Sequence, residues 1–161
     1  IVNEKGEIKG KASREQCHQN KEFMHPVVHV HIINKSRQLY LQKRPESKNI
    51  QPGKWDTAVG GHISFGEKIE EGLAREIEEE LNITNLKPGL VAQYVWESNV
   101  EKELVFMFVA NYNKEIKPNK DELEDGKFWS LNNINKNLNK GIFTPNFEKE
   151  YQILKKTVFK K

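Results

Sequence analysis

Ile69, Leu73, Ile77 and Leu81 recur at every fourth residue. That spacing is the period of one face of an α-helix, so residues 67–81 are expected to form a helix whose apolar stripe must be buried against another element. The flanking pattern is different. Residues 27–34 are β-branched and apolar, and residues 38–43 alternate, with Leu39 and Leu41 on one side. Residues 90–97 and 104–112 are two further β-rich runs, and 55–59 and 127–130 are shorter ones, the former closed by Gly60-Gly61. Residues 147–159 read as a final amphipathic helix capped by Asn146, and the Asn/Lys-rich stretch 132–140 reads as a solvated loop. Strands on both sides of a central helix, plus a terminal helix, predict an α/β fold in which a central mixed β-sheet is covered on two faces.

A chain of 161 residues fits one domain, here 1–161, with residues 1–20 as an N-terminal edge segment carrying the turn Asn3-Glu4-Lys5-Gly6. The formal net charge of +3 is too small to argue for nucleic acid, and only Lys155, Lys156, Lys160 and Lys161 make a basic cluster. No apolar run approaches the ~18 residues of a membrane span, no signal peptide is visible, and the single Cys17 excludes an intramolecular disulfide framework. The expectation is a cytoplasmic protein whose partner is a small molecule rather than nucleic acid or membrane. A homodimer is left open.

The helical stripe leaves another face, on which Glu76, Glu79 and Glu80 stand at i, i+3 and i+4. Like charges at that spacing repel by a few tenths of a kcal/mol per pair. A hard divalent cation reverses the penalty, because it takes oxygen ligands and prefers carboxylates alongside substrate phosphates. A solvent-facing acidic helix would carry the same triplet. Gly60-Gly61 and Gly66-Glu67 favour the site reading: they frame a tight loop where backbone can approach an anion or lend a carbonyl to a metal. Arg75, next to Glu76, is placed to neutralise one carboxylate.

Gly61, Glu67, Arg75, Glu76, Ile77, Glu79, Glu80 and Ile83 fill eight of the nine positions of a Nudix box, spanning 61–83; only the glycine near the helix end is replaced, by Asn82. Asn is the usual substitute where a left-handed residue is needed. The chain therefore resembles a Nudix hydrolase. The resemblance implies an α/β/α sandwich with a central mixed sheet, and a catalytic set of Glu67, Arg75, Glu76, Glu79 and Glu80. Of these, Glu76, Glu79 and Glu80 would hold Mg²⁺ or Mn²⁺ against a diphosphate.

Outside the box, the runs from His25 to His31, Gln42 to Lys48 and Pro52 to Asp56, together with Gly61-His62, resemble the isopentenyl-diphosphate isomerase branch of the same superfamily. That resemblance implies a second ligand set, His18, His25, His62, Glu101 and Glu103, and a diphosphate-contacting pair, Arg44 and Lys48. Gly60 and Gly61 would bring backbone close to substrate. His29 and His31 read as structural residues on or beside the strand. The isomerase's catalytic cysteine is replaced by Gly60, whereas the helix motif, which the isomerases break up, is retained. The expected activity is metal-dependent hydrolysis of a diphosphate linkage, in a nucleoside diphosphate-X or another organic diphosphate. The alternatives are an isopentenyl-diphosphate delta-isomerase-type enzyme using a non-thiol acid, and a non-catalytic sensor of a diphosphate ligand.

Overall fold

A computed structural model of the chain describes residues 1–160. The elements run α1 (Arg14–Gln19), β1 (His25–Ile33), β2 (Leu39–Lys43), β3 (Trp55–Asp56), β4 (Val59–His62), α2 (Ile69–Leu81), β5 (Gly89–Glu97), β6 (Lys102–Asn111), β7 (Asp125–Trp129), α3 (Leu131–Asn137) and α4 (Pro145–Thr157). One mixed sheet is ordered β3-β2-β1-β6-β5, with β4 also on β1 and β7 also on β2.

The central strand β1 decides the architecture. It is parallel to β6 along its whole length, from His25↔Glu103 to Ile33↔Asn111, and antiparallel to β4, with Val27↔His62 and His29↔Gly60. At its far end it meets β2 through Ile32↔Tyr40 and Ile33↔Leu39. Successive strand residues face opposite sides. Val28, Val30 and Ile32 accordingly pack with Leu73, Ile77 and Leu81 of α2 in one core. Ile33, Leu39, Leu41 and Met107 pack with Phe147, Tyr151 and Leu154 of α4 in another. The sheet is thus sandwiched between helices, as the alternation of strand-like and helix-like segments predicts.

Four local expectations are corrected. The N-terminal edge segment holds only a single bridge, Val2↔Ile8, around its turn, and its residues 14–19 form helix α1. Gly60-Gly61 lies inside β4 rather than closing a strand. Part of the 132–140 loop is helix α3, capped by Ser130 and anchored by buried Ile134. Helix α4 is capped by Thr144, whose hydroxyl accepts from the Phe147 N–H, with Pro145 in the first turn; Asn146 is already helical. At the end of α2, Asn82 adopts the left-handed conformation (φ 56°), in keeping with its place in the motif. Among the described residues no helix is long and apolar enough to cross a membrane.

Candidate functional site

A cavity of about 240 Å³ opens where β2 and β4 separate beside β1, and both candidate ligand sets reach it. From the α2 side come Glu76 and Glu80. They pass the strand at its glycines: a Cβ on Gly61 would coincide with the Glu76 carboxyl group. The Gly60 N–H donates to Glu80 Oε2 (3.2 Å), as does Gln42 Nε2 (3.1 Å). Burial raises Glu80 to about 8 despite those donors, and the neighbouring Glu76 charge adds to the rise. Burial likewise raises Glu76.

Glu67 and Glu79 stand behind this wall and are joined to it by Arg75. The guanidinium donates to both Glu67 oxygens (2.8 and 2.9 Å), to Glu76 Oε1 (2.7 Å), to Glu79 Oε2 (3.2 Å) and to the His62 carbonyl (3.0 Å). This fork lets Glu76 and Glu79 share a helix turn and ties both to Glu67 in the loop before it. It holds Glu67 below the usual carboxylate range and keeps Arg75 firmly charged. Glu79 remains half exposed and does not line the cavity.

The second set converges at the other end. The register between β1 and β6 puts His25 beside Glu103, and that between β1 and β4 puts His62 beside Val27. Ligand atoms of His25, His62, Glu101 and Glu103 lie within 4.8 Å of one another. His18, on the last turn of α1, approaches Glu101 to 3.0 Å. The Nε2 atoms of His25 and His62 are buried without a hydrogen-bond partner. A buried polar atom in that state calls for an explanation. The Phe23 carbonyl accepts from His25 Nδ1 (3.3 Å), which leaves the Nε2 lone pair for a cation. Burial lowers His62 to about 3, helped by His25, and lowers His25 as well, so both rings are neutral at physiological pH. Burial raises Glu103 to about 7, with the Glu101 charge adding to it. Neutral imidazoles and carboxylates short of positive charge are a donor set that fits a divalent first-row cation.

The cavity's cationic side is formed by Arg44, Lys48 and Arg14. Arg44 is tethered through Nε to the Ile50 carbonyl (3.0 Å) and through Nη1 to Asp56 (3.4 Å). Asp56 also accepts from the Thr144 hydroxyl (2.7 Å), which ties the α4 cap to this wall. Arg14, Gln42, Asp56 and His29 are lining residues that the sequence reading did not place here. A signal for α1, and hence for Arg14, is the pair Ser13 and Gln16, which form a reciprocal capping box.

A model of the NUDIX domain matches residues 23–147. The chain is 27% identical over 159 residues to isopentenyl-diphosphate Delta-isomerase 1 of Photorhabdus laumondii, covering 94% of this chain and 90% of that protein. It is 26% identical over 148 residues to an uncharacterized Nudix hydrolase of Listeria monocytogenes, covering 91% and 88% respectively. Among solved structures, a Deinococcus radiodurans protein superposes with a TM-score of 0.79 at 21% identity over 94% of this chain and 95% of the other, a likeness of fold.

Proposed function

We propose that this chain, which belongs to the NUDIX domain family and is a hydrolase of diphosphate bonds, cleaves an organic diphosphate, such as a nucleoside diphosphate-X compound, with Mg²⁺ or Mn²⁺ in its central cavity. The observation that carries this reading is the meeting, in one cavity, of Glu76 and Glu80 with His62, Glu101 and Glu103, which cluster with His25 just behind the wall, and with Arg44 and Lys48.

Glu76 and Glu80 would hold cation against the diphosphate, with Glu79 completing the set from the helix edge. His25, His62, Glu101 and Glu103 would hold cation at the second position, and His18 borders it through Glu101. Bound cation in such a site neutralises phosphate charge and acidifies water for attack. The chain's own residues do the rest. Arg44, Lys48 and Arg14 draw in the diphosphate, and the Asp56 and Ile50 tethers aim the Arg44 fork. Gly60 and Gly61 let it approach the backbone, and Arg75 with Glu67 keeps Glu76 in register. Glu80, held in place by the Gly60 and Gln42 donors, would be ionised by the cation it holds.

The test is release of any cleavage product, whether nucleoside monophosphate, X-phosphate, phosphate or pyrophosphate, from a panel of nucleoside diphosphate-X, nucleoside, sugar and isoprenoid diphosphates with Mg²⁺ or Mn²⁺. Turnover of at least one, lost on chelation, supports the reading; no release from any overturns it.

The likeness to an isomerase sustains a second reading, alkene isomerisation of isopentenyl diphosphate. Gly60, where the isomerase pattern has its cysteine, weighs against it, as does the retained helix motif. Allylic product formed without phosphate release would establish the isomerase instead. Cation and ligand binding with no consumption of any substrate would indicate a sensor.

A further inference from the structure

Helix α4 carries a carboxylate that the site described above does not use. Glu150 is fully buried on the face otherwise formed by Phe147, Tyr151 and Leu154. Three donors satisfy it: His29 Nδ1 and Tyr94 OH at Oε1, and His31 Nε2 at Oε2, each at 2.7 Å. A buried ion pair is weak evidence of stability, since apolar residues of similar volume commonly serve as well or better. The two histidines also differ in what lies beyond the carboxylate. His31 is wholly enclosed, and its other nitrogen has no partner. His29 spans from Glu150 to the cavity, where it is part of the wall together with Gly60, Glu103 and Asp56. Its far edge stands over Gly60, with Cδ2 and Nε2 at 3.5 and 3.7 Å from where a Cβ would be. No side chain on Gly60 covers that edge. A carboxylate that fixes Nδ1 orients the ring and dictates what Nε2 presents.

We propose that His29 is a substrate-contacting residue, its Nε2 donating a hydrogen bond to a phosphate oxygen of the bound diphosphate, and that Glu150 is its positioning residue. The proposal rests on the diphosphate reading above and adds a donor from the central strand β1 to Arg44 and Lys48, which come from the segment between β2 and β3. Burial works against the imidazolium, but the Glu150 carboxylate outweighs it and lifts His29 to about 9, so both ring nitrogens carry protons at neutral pH. A preorganised donor of that kind stabilises charge that builds on a phosphate oxygen as the bridge breaks.

The test uses methylenediphosphonate, a diphosphate that cannot be hydrolysed, titrated calorimetrically into the protein with Mg²⁺. In His29→Asn the amide keeps the bond to Glu150 but places nothing at Nε2; in His29→Gln the amide reaches the Nε2 position instead. The expected result is binding by the wild type, weakened on the order of tenfold in His29→Asn and partly restored in His29→Gln. Wild-type binding that His29→Asn leaves unchanged overturns the contact and spares the diphosphate reading. Absence of wild-type binding overturns both. Should the variants not fold, the imidazole nitrogen resonances of the wild type decide: His29 must shift on addition of the diphosphonate, and an unmoved signal overturns the proposal. In the same spectra Glu150→Gln must lower the pH at which His29 titrates, and an unchanged titration removes Glu150 from the positioning role.

Discussion

The Glu76 carboxyl group occupies the space into which a Cβ of Gly61 would project. The glycine of the motif is therefore a steric requirement of the site, not a conformational one, since its backbone does not enter the left-handed region. Gly61→Ala must push Glu76 out of the cavity wall. A displacement of about 1 Å is enough to lower turnover on the order of 10²-fold. Steady-state rates with Mg²⁺ alongside a circular-dichroism melt check this; near-normal turnover in a folded variant would mean that Glu76 is not needed where it stands.

Glu80→Gln separates activity from stability. Burial raises the Glu80 pKa to about 8 from an unfolded value of 4.5, so the native state holds a proton that the unfolded state has lost. This contribution is present in full below the unfolded value and disappears as pH rises through the folded one. The metal-free variant should consequently melt higher than the metal-free wild type at pH 8 and above, while turnover drops by about 10²-fold or more. Melting curves without metal at pH 5 and pH 9 provide the comparison.

His62 and His31 should behave oppositely. His62→Ala removes an unpartnered nitrogen from the His25, Glu101 and Glu103 cluster and should weaken Mn²⁺ binding by about 10- to 100-fold. His31→Ala removes one of the donors to buried Glu150 and should lower the melting temperature while leaving Mn²⁺ affinity near that of the wild type. Calorimetric Mn²⁺ titration of both variants discriminates them, and equal losses would remove the case for the histidine cluster.

The His29–Glu150 pair contributes a pH-dependent share of stability. Burial opposes the charged ring, yet Glu150 raises His29 from 6.5 to about 9. A raised histidine contributes fully below the unfolded value and loses its contribution as pH climbs through the folded one. Stability should fall between about pH 7 and pH 9 for this reason, and His29→Asn should flatten that decline in urea melts recorded across the interval.

Much of this was legible in the residues. The stripe Ile69, Leu73, Ile77 and Leu81 announces α2, because a helix that buries one face leaves its period in the sequence, and the β-branched run 27–34 announces β1. Helices α1 and α3 are harder to see. Each has one buried residue, Cys17 and Ile134, so neither carries a period, and only their serine caps, Ser13 and Ser130, mark them. The Thr144-Pro145 pair was a better sign of where α4 begins than Asn146.

By itself, the sequence determined the carboxylate helix: the spacing of Glu76, Glu79 and Glu80 and the glycines before it are local, and a helix turn expresses them directly. Only the tertiary structure decided which distant groups join it. The parallel register of β1 and β6 sets His25 against Glu103, and the antiparallel register with β4 sets Gly60 under His29 and His62 beside Val27. Glu150, 121 residues from His29, reaches it solely because α4 packs on that face of the sheet. Strand registers and helix docking are set by burial of the whole apolar surface, a cooperative property that no single segment encodes, and so the histidines' partners became visible only in the folded chain.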